Sequence, residues 1–270
     1  MSLSDVAPGE RPGDDVLVAF GAGPERPRKL TGGRGRTWMV GNVVFRPHGD
    51  AEESSWKARV LADLEPNRGF RMSRPIPAAD GNWVYGGWEA WEWLAGEADE
   101  SRAVAVIAAG AAFHEAIAHL PRPAFIDHSD DAWSNADRMA WGENPLPRGS
   151  FMRSLEREFQ PVHSLSQVIH GDLLGNVLFA PDLPPAIIDW APYWRPAGLG
   201  AAIAAVDAAS WHGWRADRLA ELGGGIPEWR QLLVRALAFR IATLHNLDAW
   251  SAEMDERHEP VVNAVISIPS

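Results

Sequence analysis

Residues 167–190 read QVIHGDLLGNVLFAPDLPPAIIDW and concentrate the groups in this chain that could do chemistry. Val168 and Ile169 form a short apolar strand leading into His170-Gly171-Asp172, and a tight loop of Leu173, Leu174 and Gly175 ends at Asn176. Two apolar runs follow, residues 177–179 and 186–188, on either side of a Pro-rich turn. If they pair as a hairpin, the start of the first strand lies beside the end of the second. Asn176 then comes near Asp189, and two oxygen donors converge. Magnesium suits such a pair, because it takes one or two protein oxygens and fills its octahedron with waters and phosphate oxygens. Asp172, a few residues upstream, could accept a proton from an attacking hydroxyl.

The elements that must position these groups fall into two regions. Residues 1–36 are Pro-, Gly- and charge-rich, with a short helix expected near residues 16–20. Residues 37–40 and 43–46 are β-rich runs separated by Gly41-Asn42, which predicts a two-residue hairpin. Residues 51–64 have helical spacing through Trp56, Val60, Leu61 and Leu64. Extended pieces are expected at 74–76 and 82–85, and residues 86–96 read as a crossover. Beyond it the chain turns mostly helical. Residues 102–120 carry Ile107, Ala111, His114 and Ile117 on one stripe, and there His114 reads as a structural histidine. Phe151, Leu155 and Phe159 mark a short amphipathic helix, and a closing helix runs over about 228–250. Asp130, Asp131 and Glu143 lie in a loop region where a substrate could approach, and they read as solvated acids.

Composition narrows the function. The 270 residues are 46% hydrophobic, enough for a sizeable core. No apolar run approaches the roughly 18 residues of a membrane span, and the first fifteen residues lack a signal peptide's apolar stretch. A cytoplasmic location without membrane attachment is therefore expected. The absence of Cys excludes disulfides, iron–sulfur clusters and thiolate chemistry. A net charge of −11 disfavours nucleic acid as a partner. Of the fourteen Trp, several are expected in the core and one or two against a ligand.

His170-Gly171-Asp172, then Asn176, then Ile187-Ile188-Asp189-Trp190 resemble the catalytic and metal-binding segments of the aminoglycoside phosphotransferase and choline kinase superfamily. The resemblance covers roughly residues 28–250. It implies an α+β, protein-kinase-like two-lobed fold, with a small antiparallel-sheet N-lobe over residues 1–90 and a larger helical C-lobe over 91–270. It also implies an ATP- and Mg²⁺-dependent phosphotransferase acting on a hydroxyl of a small molecule. By the same resemblance Asp172 is the catalytic base, His170 holds the loop through hydrogen bonds, and Asn176 and Asp189 bind the metal. Gly32, Gly33 and Gly35 would lie over the triphosphate, where absent Cβ atoms let backbone N–H groups approach phosphate. Arg46 stands where related kinases carry a phosphate-binding lysine. Glu89, Ala90 and Trp91 would supply backbone hydrogen bonds to adenine.

Three departures from the pattern stand out. Only three residues separate Asp172 from Asn176, where four are usual. Arg replaces Lys at position 46, with a different reach. The helix acid that normally pairs with that lysine has no clear equivalent: Lys57 lies about where it is expected, and Glu52 and Glu53 come earlier. These departures motivate an alternative, a pseudokinase that binds a nucleotide or other ligand with little turnover. A metallophosphoesterase would need several His ligands after Gly171-Asp172, and no Gly-Asn-His-Glu run is present. The phosphate acceptor and the oligomeric state have no readable motif.

Overall fold

In a computed structural model, residues 10–30 and 35–269 are described. They fall into two compact units, one ending at Gly96 and one starting at Glu97. The boundary thus follows residue 96, where the sequence places it after residue 90.

The first unit contains α1 (Asp14–Ala19), β1 (Arg28–Lys29), β2 (Trp38–Val40), β3 (Val43–Pro47), α2 (Ala51–Asp63), β4 (Arg71–Met72), β5 (Pro75–Ile76) and β6 (Trp88–Glu92). An antiparallel sheet runs β1-β2-β3-β6-β5. The expected hairpin is present: Val40 pairs with Val43 across Gly41-Asn42, and Gly41 has a φ of 55°. Side chains alternate across a strand. Phe45, Trp88 and Ala90 therefore share one face, buried with Val16 and Phe20 of the α1 region. Phe20 meets Phe45 edge to face with 5.9 Å between ring centroids. Asp50 caps α2 by accepting from the Glu53 N–H at 2.9 Å.

One expectation is corrected. Residues 82–85 form no strand, and the strand lies instead at 88–92, inside the stretch read as a crossover. Glu89 is buried, because Arg46 of β3 lies directly opposite and pairs with it. A charge can be buried when it is paired.

The second unit contains β7 (Glu97–Ala98), α3 (Ala103–Ile117), α4 (Phe125–His128), α5 (Ala132–Ala140), α6 (Ser150–Arg157), β8 (Ser166–His170), β9 (Val177–Phe179), β10 (Ala186–Ile187), β11 (Pro192–Pro196), α7 (Gly198–Trp211), α8 (Trp229–Asn246) and α9 (Ala252–Ser267). A 3-10 helix over Ala216–Gly223 joins α7 to α8. The hydrophobic core of this unit is built largely from α7 and α8, with Leu155 of α6, Ile169 of β8 and Val261, Val262 and Val265 of α9 packed against them. Helix α7 reads GLGAAIAAVDAASW, and residues 199–208 are all buried. A helix apolar on every side shows no amphipathic stripe, which is why periodicity did not reveal it. None of the helices among the described residues is long and apolar enough to cross a membrane.

Helix α5 begins at Asp131, whose Oδ1 accepts from the N–H groups of Trp133 (2.9 Å) and Ser134 (3.0 Å). That carboxylate therefore does a capping job. Asp131→Ala is expected to cost about 1 kcal/mol of stability. Denaturant unfolding checks this, and a variant as stable as the parent would show the cap to be idle.

Candidate active site

In the helical unit, β8 delivers His170 into a fully buried position and the chain then bends into the Gly171–Asn176 loop. Gly171 packs so tightly on the Tyr193 ring that a Cβ would lie 2.4 Å from it, so no larger residue fits there. Its N–H donates to the Ala191 carbonyl at 2.9 Å. The His170 imidazole spans the loop. Its Nδ1 accepts from the Asp172 N–H (3.1 Å), and its Nε2 lies 3.2 Å from the Ile188 carbonyl. An Nδ1 that accepts leaves the proton on Nε2, which donates to Ile188.

His170 is held in turn by His114 of α3. The His170 N–H donates to His114 Nε2 at 2.9 Å, and His114 also bonds the Ala197 backbone. Burial, reinforced by the neighbouring His170, pushes the His114 pKa down to about 3. His114 thus stays neutral and serves as a hydrogen-bond fixture.

The three-residue gap between Asp172 and Asn176 closes in a turn. The Asn176 N–H donates to the Leu173 carbonyl at 2.9 Å, with Gly175 at φ 86° in the third position. That conformation suits glycine and closes a type II turn without strain. Beyond it, Val177 pairs with Ile187 and Leu178 with Ala186. The Ile188 N–H then donates to the Asn176 carbonyl at 3.0 Å, extending the ladder by one step. Asn176 therefore lies opposite Ile188, one residue from Asp189, as the hairpin reading expects. Asp189 itself is exposed, with a left-handed φ of 48° where the chain leaves the hairpin.

The Asn176 amide is oriented by Asp172. Its Nδ2 donates to the Asp172 backbone carbonyl (2.7 Å) and to Asp172 Oδ2 (3.2 Å). The Asn176 Oδ1 is thereby turned away from Asp172. A hard oxygen donor from Asn176, with the Asp189 carboxylate at the next hairpin position, fits magnesium. Among the described residues, no three His, Cys, Asp or Glu side chains converge as a denser metal site.

Two further residues complete the centre, and neither was singled out in the sequence. Arg240 of α8 donates from Nη2 to Asp172 Oδ1 at 2.7 Å and from Nε to Asp207 Oδ1 of α7 at 2.8 Å. Arg240 and Asp207 side chains are only 15% and 11% exposed, against 47% for Asp172. Burial alone would lower the Arg240 pKa, but the Asp207 and Asp172 carboxylates outweigh it and raise it above its ordinary value. The available signal was a lone acid in an Ala-rich helix and an Arg set between Phe239 and Ile241. Buried charges of opposite sign imply one another.

Near this centre, Arg195 of β11 holds Asp137 of α5 (Nη2 to Oδ2, 2.6 Å) and Glu143 (2.8 Å), and stacks on Trp141 at 4.8 Å. Glu143 thus has an ion-pair partner, whereas the sequence suggested a simply solvated acid.

In the first unit, Gly35 sits in a left-handed turn at φ 67°, while Gly32 and Gly33 lie outside the described residues. Arg46 pairs with Glu89 and lies over the Trp91 ring, 5.2 Å from its centroid. Glu89, Ala90 and Trp91, the residues expected against adenine, belong to an interior strand, with Ala90 and Trp91 registered on β3 on one side and β5 on the other.

No protein-family model matches the chain, and no curated protein matches it in sequence. Solved structures do match in fold. A spectinomycin phosphotransferase in complex with ADP and spectinomycin superposes with a TM-score of 0.58 at 14% identity, over 94% of this chain and 96% of that one. This is the kinase-like fold of the aminoglycoside phosphotransferases and choline kinases. Amicoumacin kinase bound to AMP-PNP and Ca²⁺ matches with a TM-score of 0.57 at 11% identity, covering 93% and 91% of the two chains. A choline/ethanolamine kinase family protein from Mesorhizobium loti matches with 0.54 at 14%, covering 95% of each. The kinase-like fold thus spans nearly the whole chain, and its α+β, antiparallel-sheet-then-helices order agrees with the sequence reading.

Two outcomes follow from the buried charges. Arg240→Met would strand Asp207 without its cation and is expected to cost about 3–5 kcal/mol. Adding Asp207→Leu should recover much of that loss, as measured by denaturant unfolding; no recovery would disprove the pairing. For His114, the folded pKa lies below the unfolded value of 6.5. Its contribution is therefore complete above pH 6.5 and is lost as pH falls toward 3, because the unfolded chain takes up the proton first. The slope is at most about 1.4 kcal/mol per pH unit. His114→Gln is expected to flatten the stability profile between pH 6.5 and 4, and an unchanged profile would remove His114 from this role.

Proposed function

We propose that this protein is an ATP- and Mg²⁺-dependent phosphotransferase acting on a hydroxyl of a small molecule. The observation that carries the reading is the joined geometry of Asp172, Asn176 and Asp189. One amide donor locks Asn176 to the candidate base, and one ladder step brings the candidate metal ligands to adjacent hairpin positions. The kinase-like fold supports the same class of chemistry. Related folds act on, or are bound to, small polar acceptors such as spectinomycin and hygromycin B.

In this reading Asp172, the most exposed carboxylate of the Arg240 cluster, accepts the proton of the acceptor hydroxyl as its oxygen bonds to the γ-phosphorus. The bond to the leaving ADP oxygen breaks in the same in-line step. Asn176 and Asp189 hold magnesium, which when bound neutralises phosphate charge. Arg46 grips nucleotide phosphates. His170 keeps Asp172 and the segment before Asp189 in register. Positioning and charge neutralisation supply most of the rate. Oδ1 of Asp172 is engaged by Arg240 and Oδ2 by Asn176. That double engagement favours a second reading, a nucleotide-binding protein with little turnover.

Calorimetry with Mg-ATP, beside transfer assays on amino sugars, aminoglycosides, choline-like alcohols and nucleosides, tests both. Asp172→Ala is expected to keep nucleotide affinity and to lose turnover by roughly 10²–10⁴-fold. Asp189→Ala is expected to lose Mg²⁺-dependent nucleotide binding as well. Binding without transfer to any acceptor supports the second reading. If Asp172→Ala abolishes binding while Asp189→Ala leaves it intact, the assigned roles are wrong.

A further inference from the structure

We propose that Glu89 positions Arg46 for nucleotide phosphates, supplying from the neighbouring strand the carboxylate that helix α2 does not provide. The inference rests on the nucleotide-binding reading above and adds a residue to it. Paired residues of adjacent strands point to the same side of a sheet. Arg46 and Glu89 are such a pair, and Val44 and Trp91 are the next on that side. Phe45, Trp88 and Ala90 occupy the opposite, hydrophobic face. One side of this small sheet is thus packed apolar, and the other carries a cation, a carboxylate and an indole in contact.

Burial makes that second face unusual. Glu89 is only 4% exposed, and its Oε2 has no hydrogen-bond partner. A buried carboxylate is costly unless a cation compensates it. Its Oε1 meets Arg46 Nε, and Trp91, only 7% exposed, stacks beneath the guanidinium. Nε and one face of the guanidinium are therefore held. Its side chain keeps 21% exposure. Arginine offers a planar fork suited to phosphate, and fixing that plane in advance reduces the entropy lost on binding.

Helix α2 is arranged differently. Its buried Lys57 draws on Glu53 of the same helix, with Nζ to Oε1 at 2.8 Å. Glu53 of α2 is thus engaged by the helix's own lysine. The Arg46–Glu89 pair instead lies within the β3–β6 ladder, so it forms whenever the sheet does, whatever the position of α2.

Calorimetric titration of the full chain with adenosine, ADP and Mg-ATP tests this. Glu89→Gln, which keeps shape but removes charge, is expected to weaken ADP and Mg-ATP about tenfold, the scale of one charge-assisted hydrogen bond. Adenosine affinity should stay at the parental value, because only the phosphates meet Arg46. Glu89→Asp retains the charge and withdraws the carboxylate by one methylene, so it serves if Glu89→Gln does not fold; it should show the same selective loss at smaller size. A Glu89 variant that melts earlier but keeps the parental ratio of ADP to adenosine affinity would make Glu89 purely structural and overturn the proposal. A parent protein that binds neither adenosine nor ADP would overturn the nucleotide reading itself, and this inference with it.

Discussion

A guanidinium taken out of water needs compensation, and in the helical unit Arg240 has two carboxylates beside it. The isolated cost of burying such an ion runs to several kcal/mol, so the pairing decides how α7 and α8 face one another. Asp207 fixes one end of the arrangement inside the core. Asp172 fixes the other at the surface, where it remains half exposed. From Asp172 the order spreads outward: its carboxylate orients Asn176, Asn176 pairs with Ile188, and Ile188 is bonded by His170. The loop is short, and its shape comes from side chains that the core holds still.

Histidines reinforce this from the other side. His114 and His170 are both buried, and each is used through a lone pair and an N–H at once. His114, neutral down to about 3, is not poised to exchange protons near neutral pH. Around Asp137 the acids are likewise neutralised by Arg195. The described structure pairs carboxylate with guanidinium repeatedly, and a chain with 36 acidic and 25 basic residues can do so and still keep a net negative surface.

The sheet unit obeys the same rule by different means. There the ion pair spans two strands, and the ladder register alone brings Arg46 opposite Glu89. A polar pair set by register tolerates no slip, since shifting one strand by a residue would turn its side chain to the apolar face and leave the partner unpaired. Identity to the matched kinase-like structures is only 11–16%. Many sequences meet the packing demands of one fold, and individual ion pairs can be supplied from different elements.

Much was legible in the residues themselves. Gly41-Asn42 between β-rich runs predicted the hairpin, because few dipeptides favour that turn. Apolar runs on both sides of the Pro-rich turn predicted the pairing of Val177 with Ile187 and of Leu178 with Ala186. Amphipathic spacing located α2, α3 and α6, where one face is dry and the other wet, and the Leu and Ile spacing located α8 although most of that helix is buried. Tertiary structure alone decided the rest. Strand β6 was hidden because its glutamate is buried by a partner 43 residues away. Helix α7 was hidden because burial on all sides erases periodicity. Arg240 and Asp207 were hidden because they meet across 33 positions and reach Asp172 across 68. Local propensity and periodicity report what a segment does with its own neighbours and with water. The compensation of a buried charge depends on which distant segment folds against it, and only the packed chain specifies that.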